Sequence, residues 1–261
     1  MADIKPQVYK DPRPAETFQR FHEWAREHEP GWVYGAVRVL ITPPVLLLYR
    51  ATALGTTNVP ATGPVILAPN HFSNMDHFFL GLYIRRKVQF MAKSQLFGNP
   101  VLDYIFRVGG VFPVRRGYND QEAFKTAHAI LDRGCCIGIY CEGGRSRTGK
   151  LGEPRPGVGR IALESGAPVV PVAIHGSAGV RRWRKLHFPR VTVQFGEPLR
   201  FERVENPSRE QQLETARTIF NRVKDMYAVL EERGPAQVRR ELRAGGAEAG
   251  AGRAPTTRSG A

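Results

Sequence analysis

His71 and Asp76 stand five residues apart in the string Asn70-His71-Phe72-Ser73-Asn74-Met75-Asp76. An imidazole held by a carboxylate is a general base. The acid fixes the tautomer and stabilises the imidazolium formed when the other ring nitrogen takes a proton. The pair has no built-in nucleophile, so its natural partner is a hydroxyl carried by a substrate. The competing reading of the same string is a helix cap, with Ser73 or Asn74 at the N-cap and His71 hydrogen-bonded in the loop.

A second string, Glu142-Gly143-Gly144-Arg145-Ser146-Arg147-Thr148-Gly149-Lys150, combines glycines with three cations. Glycines let the backbone approach an anion, and Arg145, Arg147 and Lys150 could hold it. Gly144 to Lys150 also satisfies G-x-x-x-x-G-K, but Leu151 follows where a nucleotide-binding loop needs Ser or Thr, and the next stretch is rich in Pro and Gly rather than helical. The other reading is a charged, solvated loop. Val111-Phe112-Pro113-Val114-Arg115-Arg116 ends an apolar run in two guanidinium groups suited to phosphate. Val169-Val170-Pro171-Val172 is an apolar strand with a proline inside, which predicts an edge or bulged strand.

Some residues invite chemistry that their spacing does not support. Cys135 and Cys136 are adjacent and would point to opposite faces of a strand, so with Cys141 they read as buried thiols rather than metal ligands, and no metal is expected. Gly176-Ser177-Ala178-Gly179 is not a nucleophile elbow. Arg181-Arg182-Trp183-Arg184-Lys185 suits an anionic membrane as well as nucleic acid.

The elements that must position these residues follow from pattern. Short apolar runs at 64–69, 88–92, 110–114, 135–141, 167–174 and 190–195 read as strands. They alternate with helical stretches at 76–86, 97–107, 119–133 and 156–165. This predicts an α/β fold, a central largely parallel sheet flanked by helices. Such sheets collect their sites at the carboxyl ends of the strands. Before it, a helix carries Phe18, Phe21 and Trp24, and Trp32 to Tyr49 is largely apolar but holds Arg38 and Pro43-Pro44. That run predicts two short helical pieces lying in a membrane interface rather than a spanning helix; a buried helix pair is the other reading. The organisation predicted is residues 1–57 as an N-terminal helical membrane-association segment, 58–232 as the main domain, and 233–261 as a disordered tail.

Composition narrows the partners. The 261 residues are 42% hydrophobic and 24% charged, which is globular. Residues 85–190 carry 19 basic and 7 acidic side chains, most of the net +14, so the anion-attracting surface lies on the fold and not on a tail. Three cysteines make no disulfide framework and favour a reducing compartment, and residues 1–30 show no apolar leader. A nucleic-acid protein would explain the charge but gives no role to Asp76 or to 32–49, so no nucleic acid is expected.

Taken in order, the four strings resemble the blocks of the glycerolipid acyltransferase family, the 1-acylglycerol-3-phosphate acyltransferases and their relatives. Asn70-His71 to Asp76 matches its N-H-x4-D block, and Phe112 to Arg115 the second. Glu142 to Ser146 matches the third, E-G-T-R-S, and Val170-Pro171-Val172 the fourth; the likeness covers roughly 58–200. Lys93 resembles a basic residue found between the first two blocks. Cys141 replaces the usual proline, Gly144 the usual threonine and Val114 a common aspartate, and Arg116 is extra; all lie where the family holds its acceptor. The resemblance implies His71 and Asp76 as the catalytic pair. It implies Asn70, Ser73, Lys93, Arg115, Glu142, Gly143, Gly144, Arg145 and Ser146 as substrate contacts, with Glu142 touching the glycerol part or orienting an arginine. It further implies acyl-CoA or acyl carrier protein as co-substrate with no other cofactor, a lysophospholipid acceptor, and a place on the cytoplasmic face of a membrane. The alternatives are an acyltransferase for another lysolipid or for glycerol 3-phosphate, and a non-catalytic anionic-lipid-binding module, which needs no His–Asp pair.

Overall fold

The structure, a computed structural model, describes residues 10–146, 148–180 and 188–251. Arg147 and the basic string at Arg181 to Lys185 lie outside the described residues.

Seven strands form one sheet: β1 (Thr52–Leu54), β2 (Val65–Pro69), β3 (Val88–Lys93), β4 (Val111–Val114), β5 (Cys136–Gly138), β6 (Val169–His175) and β7 (Thr192–Phe195). Their spatial order is β1-β7-β6-β2-β5-β3-β4, and every pairing is parallel except β6 with β7. The helices are α1 (Gln19–Glu27), α2 (Trp32–Tyr49), α3 (Asp76–Leu82), α4 (Pro100–Gly109), α5 (Gln121–Asp132), α6 (Pro156–Ser165) and α7 (Arg209–Ala251). Parallel neighbours need crossovers, and helices cover both faces as that requires. Alternation along β2 splits the core in two. Ile66 and Ala68 pack with residues of α1, α5, α6 and α7, whereas Val65 and Leu67 pack with residues of α2 and α3.

Four expectations need correction. The run 32–49 is one continuous helix, not two pieces. Proline already holds a helical φ, so Pro43 and Pro44 remove backbone donors without ending a helix whose two halves are anchored by buried Val33, Val45 and Tyr49. The boundary after residue 57 cuts the sheet, because β1 pairs with β7 from Thr52↔Thr192 to Leu54↔Gln194. The tail is not structureless from residue 233. Gly234 breaks α7 at φ 75°, then Pro235 opens a second helical stretch that buries Val238 in the core. Finally, β6 is an interior strand. Between Val172↔Phe195 and Val169↔Leu199 the β6 side advances three residues and the partner side four. The bulge that accommodates Pro171 therefore sits in the neighbouring chain segment, and Pro171 keeps its carbonyl bonded to the Gly196 N–H at 2.9 Å.

Candidate active site

The first string occupies the turn from β2 into α3. Asp76 is fully buried at the first residue of α3. Its Oδ2 accepts from His71 Nδ1 at 2.8 Å, from the Phe72 N–H at 2.7 Å and from the Ser73 N–H at 2.8 Å. Two rigid backbone donors therefore fix the oxygen that fixes the imidazole. Asp76 Oδ1 is buried without a hydrogen-bond partner. The cap reading is not what forms: Met75 is the N-cap residue, without a side-chain cap bond, and Ser73 Oγ accepts the Met75 N–H at 3.1 Å.

The second string, from Glu142, stands beside it because β5 is the neighbour of β2 (register Val65↔Cys136). The ladder runs on past the end of β5, with the Ile139 N–H on Leu67 O at 2.9 Å and the Cys141 N–H on Pro69 O at 3.0 Å. Glu142 then braces two loops. It accepts the His71 N–H at 2.9 Å through Oε2 and the Gly152 N–H at 2.7 Å through Oε1. The Ser146 N–H closes the stitch on His71 O at 2.8 Å. Burial pushes the Glu142 carboxyl up, against the two backbone bonds that favour its ionised form. Tyr140 lies flat on the imidazole, ring centroids 3.7 Å apart and 18° from parallel.

Burial pushes the His71 imidazole below its ordinary value; the Asp76 bond and charge oppose this, and Arg145 and Arg116 reinforce it. The ring is neutral at pH 7 and can accept a proton. Lys93 is likewise lowered, by burial first and then by Arg145 and Arg116. His71, Lys93, Arg116 and Arg145 thus share one electrostatic neighbourhood although they leave four different strand ends.

A cleft of about 890 Å³ opens along this edge. Arg115, Arg116, Arg145, Glu142, Gly143 and Gly144 are on its wall, as is Tyr140, which stacks on His71. The Arg115 guanidinium lies over the Tyr118 ring at 4.2 Å, and its backbone N–H donates to Asp120 Oδ2 at 2.6 Å. Gly143 has φ +62°, and a Cβ there would meet Arg155 Cγ at 2.9 Å, so the turn requires glycine on both counts. Asn70 is elsewhere: it is buried and clamps β6, donating to Ile174 O at 3.1 Å and accepting the Ile174 N–H at 2.7 Å. Ser73 is buried under the turn, and Ser146 Oγ donates to Lys150 O at 2.6 Å. Two residues were not among the expected site. Arg116 was legible as the second of two guanidinium groups ending a strand and as an extra charge, and Tyr140 only as an aromatic two residues before Glu142. Among the described residues no group of three metal-ligating side chains converges.

The family described as Acyltransferase matches residues 50–175. A chloroplastic 1-acyl-sn-glycerol-3-phosphate acyltransferase of Brassica napus is 28% identical over 135 residues, 51% of this chain and 39% of the relative. The 1-acyl-sn-glycerol-3-phosphate acyltransferase of Bacillus subtilis is 28% identical over 178 residues, 67% of this chain and 87% of the relative. The crystal structure of the 1-acyl-sn-glycerophosphate acyltransferase PlsC from Thermotoga maritima aligns with TM-score 0.55 and 20% identity. That alignment covers 82% of this chain and 89% of the other. The matches to the Brassica relative and to a second chloroplastic one, from Arabidopsis thaliana, span 39% and 38% of those proteins. A mostly parallel sheet with a His–Asp pair and a cationic cleft at its carboxyl edge is the architecture. Over residues 50–175, which hold this pair, the chain is similar to the acyltransferases.

Proposed function

We propose that this protein transfers a fatty acyl group from a thioester donor, acyl-CoA or acyl carrier protein, to the hydroxyl of a lysophospholipid, most simply 1-acyl-sn-glycerol 3-phosphate, giving phosphatidic acid. The observation that carries the reading is the 2.8 Å bond from His71 Nδ1 to an Asp76 oxygen pinned by two backbone amides. That bond leaves Nε2 as the basic nitrogen. Nε2 takes the proton of the acceptor hydroxyl, and the oxygen attacks the thioester carbonyl. The C–S bond breaks as the ester forms, and the leaving thiolate recovers the proton from the imidazolium. Arg115, Arg116 and Arg145 hold the acceptor phosphate from the cleft wall, and Lys93 adds its charge from behind. Glu142 positions: with both oxygens on backbone amides, it sets the distance between the two loops. The amides of His71, Phe72, Ser73, Gly143 and Ser146 are all engaged, so the oxyanion is met by donors other than these.

The acceptor is bilayer-borne, and α2 supplies the means to reach it. Val39, Leu40 and Leu47 are 71%, 73% and 77% exposed, and the 18-residue helix has mean hydropathy 1.4. Arg38 donates to Leu82 O at 3.0 Å, tying this helix to the end of α3. On this reading α2 lies on the cytoplasmic leaflet, whose anionic lipids attract a chain of net charge +14.

The test is His71→Ala, purified and supplied with labelled acyl-CoA and a panel of lysophospholipid and glycerol 3-phosphate acceptors, products identified by mass. Wild type forms phosphatidic acid, and the variant forms none while still sedimenting with vesicles. Turnover retained by the variant would remove His71 as the base, and wild-type inactivity on every acceptor would remove the reading.

A further inference from the structure

The acceptor phosphate is accounted for by Arg115, Arg116 and Arg145, yet a second cationic concavity adjoins the same cleft. It is a pocket of about 260 Å³ lined by Glu153, Pro154, Arg155, Pro156, Arg209, Leu213 and Arg217. The stretch Glu153 to Pro156 lines both spaces, so the two share a wall. Arg209, Leu213 and Arg217 repeat every four residues and form one stripe of α7. Arg155, Arg209 and Arg217 make no ion pair among the described residues. The one carboxylate on the wall, Glu153, is paired with Lys224 at 3.7 Å. Both α6 and α7 begin at the pocket, at Pro156 and Arg209, and add the positive ends of their dipoles.

Three exposed guanidinium groups without ion-pair partners among the described residues line one small concavity, a set suited to a polyanion. Location narrows which one. α6 and α7 cover the face of the sheet opposite α2, so a bilayer held by α2 is on the far side, and a soluble ligand fits better than a lipid headgroup. The pocket is concave and small, which suits clustered phosphates more than the convex acidic surface of a carrier protein.

We infer that this pocket binds the phosphates of a coenzyme A thioester, whose long pantetheine arm then runs along the shared wall and delivers the thioester into the main cleft. The inference rests on the acyl-transfer reading and adds to it the donor class and the donor site. Each substrate phosphate has its own arginines, on two spaces that share one wall.

The experiment uses the full chain with Arg209→Gln and Arg217→Gln combined, two exposed side chains outside the catalytic site. CoA is titrated calorimetrically into wild type and variant, and initial rates are taken with acyl-CoA and with the acyl thioester of pantetheine, which lacks the nucleotide. Binding to phosphatidylglycerol vesicles is measured alongside. The expected result is about a tenfold loss of CoA affinity and a similar rise in KM for acyl-CoA. KM for the acceptor, the rate with acyl-pantetheine and vesicle binding should stay unchanged. Unchanged CoA affinity overturns the inference, as does a loss confined to vesicle binding. The two readings fail separately. CoA binding that depends on these arginines in a protein without transfer activity would sink the acyl-transfer reading alone. Transfer from acyl-CoA that ignores them would sink the pocket alone.

Discussion

Replacing Asp76 with Asn isolates a single physical quantity. Asp76 Oδ2 accepts three hydrogen bonds, two of them from the backbone N–H groups of Phe72 and Ser73 at 2.7 and 2.8 Å. Those donors do not move, so they select the amide oxygen for the Oδ2 position and send the new NH2 to the place of Oδ1, which has no partner. His71 Nδ1–H therefore still meets an oxygen, and its tautomer and orientation survive. What is lost is the negative charge that stabilises the imidazolium as the proton transfers. At 2.8 Å the full Coulomb term bounds this at roughly 6 kcal/mol with an effective dielectric of about 20. The advantage of a charged over a neutral hydrogen bond puts it nearer 1.5 kcal/mol, roughly a 13-fold fall in kcat. The charge and bond of Asp76 oppose the effects of burial, Arg145 and Arg116 on His71. Removing them lowers the imidazole further, and the acid limb of kcat/KM moves to lower pH as the plateau drops. The assay is steady-state transfer in mixed micelles from pH 5 to 9, with circular dichroism to confirm folding. An acid limb that moves to higher pH, or a kcat within twofold of wild type, refutes the reasoning. A loss as complete as that of His71→Ala shows that the tautomer was not retained.

Other perturbations have signs that the structure sets. In Gly159→Ala the new Cβ would lie 2.0 Å from Gln212 O and 2.8 Å from Ala216 N, so α6 and α7 must part. That outweighs the gain of up to about 1 kcal/mol in helix propensity, and urea unfolding should show a net loss of at least about 1 kcal/mol. Leu40→Ser with Leu47→Ser, at two positions more than 70% exposed, should leave unfolding within about 0.5 kcal/mol and weaken vesicle sedimentation at least about tenfold. His22 is buried against Thr126 Oγ1 at 3.0 Å, and burial lowers its imidazole to about 4. The unfolded chain binds this proton from about pH 6.5, where the folded protein does not. Stability is therefore complete above pH 6.5 and falls through the window down to pH 4, by about 3 kcal/mol for this group. Urea midpoints for wild type and His22→Gln should converge across that window; parallel curves would show that His22 does not carry the dependence.

Two departures from the resembled pattern can be placed in the structure. Cys141 stands where a proline is usual, and its N–H donates to Pro69 O at 3.0 Å, a bond that proline could not make. Gly144, where the resembled pattern has a threonine, lines the cleft. The catalytic pair itself leans on neither position.

Much was legible in the chain because it is local. Period-two and helical patterning located six of the seven strands and the helices between them, since each such element must bury its own apolar face. The five-residue spacing of His71 and Asp76, running into a helix, already placed acid and base within reach. Other features depend on which strands become neighbours, and no spacing along the chain reveals that. Three-residue β1 is a strand only because β7 offers it an edge, and Pro171 sits in the interior only because the bulge falls on the segment opposite. Glu142 braces His71 and Tyr140 stacks on it because β5 inserts between β2 and β3, bringing together loops 71 residues apart in sequence. Asn70 holds β6 and not a ligand for the same reason. Residue types and short spacings decide what chemistry a segment can perform. Strand order decides which segments meet, because it is set by burying all the apolar faces at once, a condition on the whole chain and on no single stretch of it.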